Sequence, residues 1–289
     1  MTVVGVVGAG VMGVGVAQNF AQTGHQVVLV DLDKATLEQA LTQIERNGRL
    51  SRLVGGPAVD VDAMMAAITV DVELAALGDA EVVVENITEN WDLKRQLYGS
   101  LDQVCSPETI FIVNTSALPI TKVASVTRRP DRVIGVHFMN PVPMKSAVEL
   151  IPGHHTSPET VRRTRDILGA IGKKAIEVKD SAGFVSNRVL MLTVNEAAYL
   201  VHEGVADAST VDEVFRECFG HPMGPLETAD LIGVDTILYS VEVLYDSYAD
   251  SKYRPCPLLK HMTDAGLHGR KAGKGFYTYD EYGRVLPTR

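Results

Sequence analysis

Two side chains in this sequence are suited by type and spacing to move a proton. His137 closes the apolar run Val133-Ile134-Gly135-Val136, and Glu149 follows twelve residues later. The run reads as a buried strand, Met139 to Pro143 as a proline-bearing loop, and the segment around Glu149 as the next strand. Oxidising an alcohol by hydride transfer needs a base for the hydroxyl proton, and an imidazole titrating near neutral pH fits that task. A carboxylate on the other ring nitrogen would fix the tautomer and stabilise the imidazolium. Taken alone, a strand-end histidine is more often structural than catalytic. The other seven histidines lack this setting, and His154-His155 reads as a solvated polar loop. No HExxH pattern or other metal-ligand spacing occurs, so no metal site is expected.

A second constellation opens the chain. The apolar run Val3–Val7 leads into Gly8-Ala9-Gly10-Val11-Met12-Gly13, then a helical pattern over 14–23, then a second apolar run ending at Asp31. Gly8-x-Gly10-x-x-Gly13 is weak evidence by itself. Its context is the informative part: strand before, helix after, and a carboxylate 23 positions beyond the first glycine. Glycines permit a tight turn and close approach to a pyrophosphate, which the helix N-terminus then binds. Asp31 would accept hydrogen bonds from ribose hydroxyls and repel a 2′-phosphate, favouring NAD over NADP. A turn that binds FAD, or nothing, is the competing reading.

The elements that must carry these groups follow from periodicity. Further strands are expected at 81–85, 110–114, 132–138, 147–151 and 175–178, and a βαβ start implies a parallel sheet. The stretch between the second and third expected strands, 34–67, reads as a helical hairpin projecting from the sheet, broken at Gly55-Gly56-Pro57. Beyond Asp180 the pattern turns helical over 183–205, 210–218, 227–249 and 257–265, with one strand-like run at 275–279. The expectation is a Rossmann-type doubly wound, mostly parallel α/β domain over 1–180 and an all-α domain over 181–289. A net charge of −9 argues against nucleic acid as a partner. Cys105, Cys218 and Cys256 form no CxxC pair and read as reduced thiols. With no secretory n-region and no long apolar run, a cytoplasmic protein that does not enter a membrane is expected.

Six segments in order carry a resemblance over nearly the whole chain: GAGVMGVGVA at 8–17, ENITEN at 85–90, NTSALPIT at 114–121, HFMNPVP at 137–143, GFVSNRVL at 183–190 and GRKAGKGFYTY at 269–279. The sequence resembles the L-3-hydroxyacyl-CoA dehydrogenase family, which includes 3-hydroxybutyryl-CoA dehydrogenases. The resemblance implies an NAD-dependent enzyme acting at C3 of a 3-hydroxyacyl thioester, with His137 and Glu149 as the catalytic dyad. It implies substrate contacts at Ser116 and Asn187. It implies cofactor contacts at Gly8, Gly10, Met12, Gly13, Asp31, Glu89, Lys94, Ser116, Asn140 and Lys271. It also implies a homodimer formed through the helical domain. Without the resemblance, Ser116 and Asn187 read as turn and capping residues, Lys94 as a solvated helix face, and Lys271 as part of a loop.

Two departures concern the substrate. The hairpin segment Leu53–Ala58 has no lysine where family members commonly clasp the phosphate end of coenzyme A. The loop before Glu149 reads Met144-Lys145-Ser146-Ala147, with its cation displaced by one position, so Lys145 is a candidate substrate contact. Arg46, Arg49 and Arg52 would then bind the phosphate of an acyl-CoA, or dock an acidic acyl carrier protein. The latter resembles the polyketide extender-unit branch, which oxidises a glyceryl group on its carrier protein. Other readings are a β-hydroxyacid dehydrogenase, disfavoured because 181–205 contains no lysine, and a non-catalytic NAD-binding protein of the same fold.

Overall fold

The computed structural model describes residues 2–116 and 118–286, so Ala117 of the 114–121 segment lies outside the described residues. The chain divides into two compact units, Met1–Ser181 and Ala182–Arg289. The first unit runs β1 (Val3–Val7), α1 (Val11–Gln22), β2 (Gln26–Val30), α2 (Lys34–Leu50), α3 (Val61–Ala66), β3 (Ile68–Asp71), β4 (Val82–Glu85), α4 (Trp91–Val104), β5 (Ile110–Val113), α5 (Ile120–Ala124), β6 (Val133–His137), β7 (Ala147–Pro152), α6 (Pro158–Ala170) and β8 (Lys174–Glu177). The eight strands form one sheet in the order β3-β2-β1-β4-β5-β6-β7-β8. Every neighbouring pair is parallel except β6 and β7. Strands such as Val82–Glu85 and Ile110–Val113 are buried at every position, as a sheet covered on both faces requires.

Four features differ from the sequence expectation, two in each unit. The 34–67 hairpin does not project from the sheet. Leu37, Ala40, Ile44 and Met64 belong to the same buried cluster as Val16 and Phe20 of α1, so its apolar stripe is part of the core. A single 3₁₀ turn, Ser51–Val54, follows α2 and stops at Gly55 in the left-handed region. Next, Ile68–Asp71 is an additional edge strand paired with β2. Only Ile68 of its four residues is buried, so no apolar run marks it.

The second unit contains α7 (Ser186–His202), α8 (Ala208–Phe219), α9 (Pro225–Ile232), α10 (Val234–Tyr248) and α11 (Pro257–Asp264) around a core that includes Val194, Leu226, Ile237 and Leu259. The expected helix over 227–249 is divided at Gly233, whose φ of 110° cannot continue a helix. The strand-like run 275–279 makes only isolated bridges. Its backbone is held instead by Asp230, which accepts from Phe276 N and Tyr277 N and from the Tyr279 hydroxyl. Among the described residues no helix is long and apolar enough to cross a membrane.

Candidate active site

The one antiparallel pairing of the sheet places His137 directly opposite Glu149. Opposed residues of an antiparallel pair project to the same face. The result is a hydrogen bond of 2.8 Å between His137 Nδ1 and Glu149 Oε2, with both side chains 8% exposed. An ionised carboxylate can only accept, so this contact places the Nδ1 proton on the histidine and leaves Nε2 as the acceptor. Nε2 lies 3.0 Å from Oγ of half-buried Ser116. The row Ser116–His137–Glu149 therefore presents a basic nitrogen beside a hydroxyl, backed by a buried carboxylate.

Ser116 is fixed from behind. Its backbone N–H donates to Glu89 Oε1 at 3.2 Å, and the Thr115 hydroxyl donates to the same oxygen. Glu89 Oε2 meets Lys94 Nζ at 3.3 Å. Lys94 is not on a solvated helix face, as its place in the sequence suggested. It is fully buried and its ammonium donates to both Glu85 oxygens (2.9 and 2.8 Å) and to Asn114 O (3.2 Å). A buried ammonium persists only when surrounded by acceptors of this kind. Burial pushes the Glu85 carboxyl above its ordinary range, although Lys94 pulls it down. Tyr98 donates to the same carboxylate. Asn114 Oδ1 accepts from Phe138 N, tying the strand after Glu89 to the residue after the histidine. Glu85 and Tyr98 escaped sequence reasoning; a glutamate ending an all-apolar strand was the available signal.

The glycine segment adjoins this row along the sheet's carboxyl edge. Gly8 has φ 93°, and a Cβ there would lie 2.9 Å from the Asn86 backbone. A Cβ on Gly13 would lie 1.7 Å from Gly8 O, so both positions admit glycine only. Gly10 differs: a Cβ there meets nothing within 4 Å. Its missing side chain leaves room outside the protein, at the N-terminus of α1, where no side chain caps the helix. An open helix N-terminus with a bare backbone approach fits a pyrophosphate. Met12 is partly buried against the core behind this turn. Asp31 follows β2, and its Oδ2 accepts from Ala9 N at 2.7 Å, which ties it to the glycine turn. These residues fit NAD.

A cleft of about 480 Å³ opens beside Gly10. One wall is the loop Asn140–Pro143, and the other is the α2 face bearing Thr36, Gln39, Gln43 and Asn47. That face is neutral. Arg46, Arg49 and Arg52 are exposed and do not line the cleft, and Arg49 pairs with Glu45 at 2.6 Å. The Lys145 side chain is exposed. Asn187 and Lys271 belong to the second unit: Asn187 lies in the first turn of α7, and Lys271 pairs with Asp235 at 2.7 Å.

The family model for the 3-hydroxyacyl-CoA dehydrogenase NAD binding domain matches residues 3–181, and that for the 3-hydroxyacyl-CoA dehydrogenase C-terminal domain matches residues 183–279. A probable 3-hydroxybutyryl-CoA dehydrogenase of Bacillus subtilis is 45% identical over 277 residues, covering 96% of both chains. The 3-hydroxybutyryl-CoA dehydrogenase of Bradyrhizobium diazoefficiens is 41% identical, covering 99% of this chain and 98% of its own. The crystal structure of (S)-3-hydroxybutyryl-CoA dehydrogenase from Ralstonia eutropha superposes with a TM-score of 0.91 at 41% identity, over 97% of this chain and all of that one. With both domain models matched and an NAD-binding Rossmann unit in place, the chain is an NAD-dependent dehydrogenase belonging to the 3-hydroxyacyl-CoA dehydrogenase family.

Proposed function

We propose that the enzyme interconverts the 3-hydroxyl and 3-keto forms of a short L-3-hydroxyacyl thioester, with His137 as general base and acid and Glu149 as its orienting partner. The observation that carries this is the hydrogen-bonded row Ser116–His137–Glu149. NAD, when bound, supplies the hydride acceptor. In oxidation His137 Nε2 takes the hydroxyl proton while Glu149 balances the charge that forms on the ring. Ser116 Oγ, already on Nε2, holds the substrate oxygen in line with that nitrogen. In reduction the proton returns along the same bond.

Gly8, Gly10 and Gly13 admit the cofactor's phosphates, and Asp31 takes its ribose hydroxyls. Glu89 and Asn140 are further cofactor contacts, with Lys94 supporting Glu89 from the interior. The cleft between α2 and Asn140–Pro143 is lined at one end by Gly10 and Asn140, on the cofactor side, and its α2 side, at Gln39, Gln43 and Asn47, takes the carrier arm of the thioester. Exposed Val185, just before α7, and Val189 on α7, 57% and 62% accessible, support a homodimer formed through the second unit. The test is His137→Gln: NADH binding persists while turnover of acetoacetyl-CoA falls by about 10² to 10⁴. An unchanged rate would sink the assignment.

One observation favours a second substrate class. The cleft's α2 wall carries amides and no cation, which suits a neutral pantetheine arm better than a nucleotide phosphate. A thioester on an acyl carrier protein presents that arm without the nucleotide. Comparing kcat/KM for acetoacetyl-CoA with the same acyl group on a carrier protein separates the two.

A further inference from the structure

Lys173 follows the carboxyl end of α6 and has no part in the proton-transfer row. Its residue is only 5% exposed, yet the ammonium has no carboxylate partner among the described residues. Nζ instead donates to two backbone carbonyls of one loop, Val142 O at 2.6 Å and Lys145 O at 2.5 Å. Burying an ammonium on carbonyls alone is costly, and burial lowers its pKa accordingly.

The loop so gripped is the wall of the cleft. Asn140 to Pro143 face Gly10 and α2 across it. Val142 rests on α1 at Gly15, where a Cβ would lie 3.1 Å from the valine side chain. Among the described residues the other backbone bonds of the segment are Met144 N to Pro141 O at 3.1 Å, Lys145 N to Val142 O at a long 3.4 Å, and Lys174 N to Ser146 O at 2.8 Å. The two charged-donor bonds from Lys173 hold the middle of the segment together with the buried Val142 side chain.

We propose that Lys173 is a positioning residue for substrate selection: it pins the Val142 and Lys145 carbonyls so that the loop keeps the cleft shaped for the carrier arm of the thioester. It acts on the arm, not on the reacting atoms. This rests on the proposed use of the cleft by that arm.

The test compares acetoacetyl-CoA with acetoacetyl-N-acetylcysteamine, a truncated thioester too short to fill the cleft. The wild type should prefer the full-length substrate in kcat/KM. Lys173→Met should cut that preference by about tenfold or more, through KM, with turnover of the truncated thioester within about threefold of wild type. Lys173→Gln, which restores a neutral donor, should fall between. A wild type without preference refutes the use of the cleft itself, and the inference with it. A wild-type preference that survives in Lys173→Met overturns the role of Lys173 alone. Equal losses on both thioesters would place the effect at the reacting atoms and overturn it too. Failure of both variants to fold would make Lys173 a residue of sheet stability and reject the proposal.

Discussion

Replacing Glu149 by Gln keeps the shape of the dyad and removes its charge. The carboxylate lies 2.8 Å from His137 Nδ1 with both groups 8% exposed, so solvent screens the pair poorly. Unit charges about 4 Å apart at an effective dielectric near 20 attract by about 4 kcal/mol. If about half the imidazolium charge has formed at the transition state, about 2 kcal/mol is forfeited. Losing the charge assistance of the hydrogen bond adds about 1 kcal/mol. At about 1.4 kcal/mol per tenfold, the sum is a loss of about 150-fold in kcat/KM. A glutamine can also donate to Nδ1 and select the tautomer whose Nε2 bears the proton, extending the loss toward about 10⁴. Glu149→Asp keeps the charge but withdraws it by one methylene, so it should rank between wild type and Gln. The assay is the initial rate of NADH oxidation with acetoacetyl-CoA. Energy transfer from Trp91, the single tryptophan, to bound NADH checks that cofactor affinity is kept. A loss below about tenfold would refute the orienting role of Glu149.

Other predictions rest on single contacts. Gly10→Ala should leave the melting temperature nearly unchanged and weaken NADH binding, because its Cβ meets no protein atom; equal affinity for NADH would move the pyrophosphate elsewhere. Gly13→Ala, aimed at Gly8 O, should instead distort the turn and be visible as a drop in melting temperature. Lys94→Met should cost about 3–5 kcal/mol in denaturant unfolding, because it strands the buried Glu85 carboxylate, and pairing it with Glu85→Gln should recover part of that. At pH 8 thiol reagents should modify Cys218 in the native protein and spare Cys105 and Cys256. Burial pushes the Cys105 thiol up to about 11, so its thiolate stays scarce until pH approaches that value; rapid native labelling of all three would contradict the packing.

The order of elements was readable where burial was uniform or strictly periodic. Val3–Val7, Val82–Glu85 and Ile110–Val113 are apolar runs because both faces of the sheet are covered. Ile68–Asp71 was not readable, since an edge strand with one buried residue leaves no pattern. The strand-like run 275–279 misled because its aromatic residues serve Asp230 rather than a ladder. The glycines and the spacing of His137 and Glu149 pointed to their places, since each is decided by local geometry. Lys94 and Lys173 did not. A lysine's default is solvent, and only tertiary acceptors, Glu85 and Glu89 in one case and two loop carbonyls in the other, reverse it.

The lone antiparallel pair has a consequence for how such an enzyme diversifies. The opposition of His137 and Glu149 is set by ladder hydrogen bonds within one hairpin, not by the loop that joins its strands. Insertions or exchanges between Met139 and Ser146 can therefore recut the recognition surface and leave the proton-transfer pair in register. Chemistry and selectivity sit on adjacent stretches of the same short segment, yet they can be edited separately. A library confined to that loop, with Asn140 kept, would ask whether new acyl carriers can be accepted while the pair stays opposed.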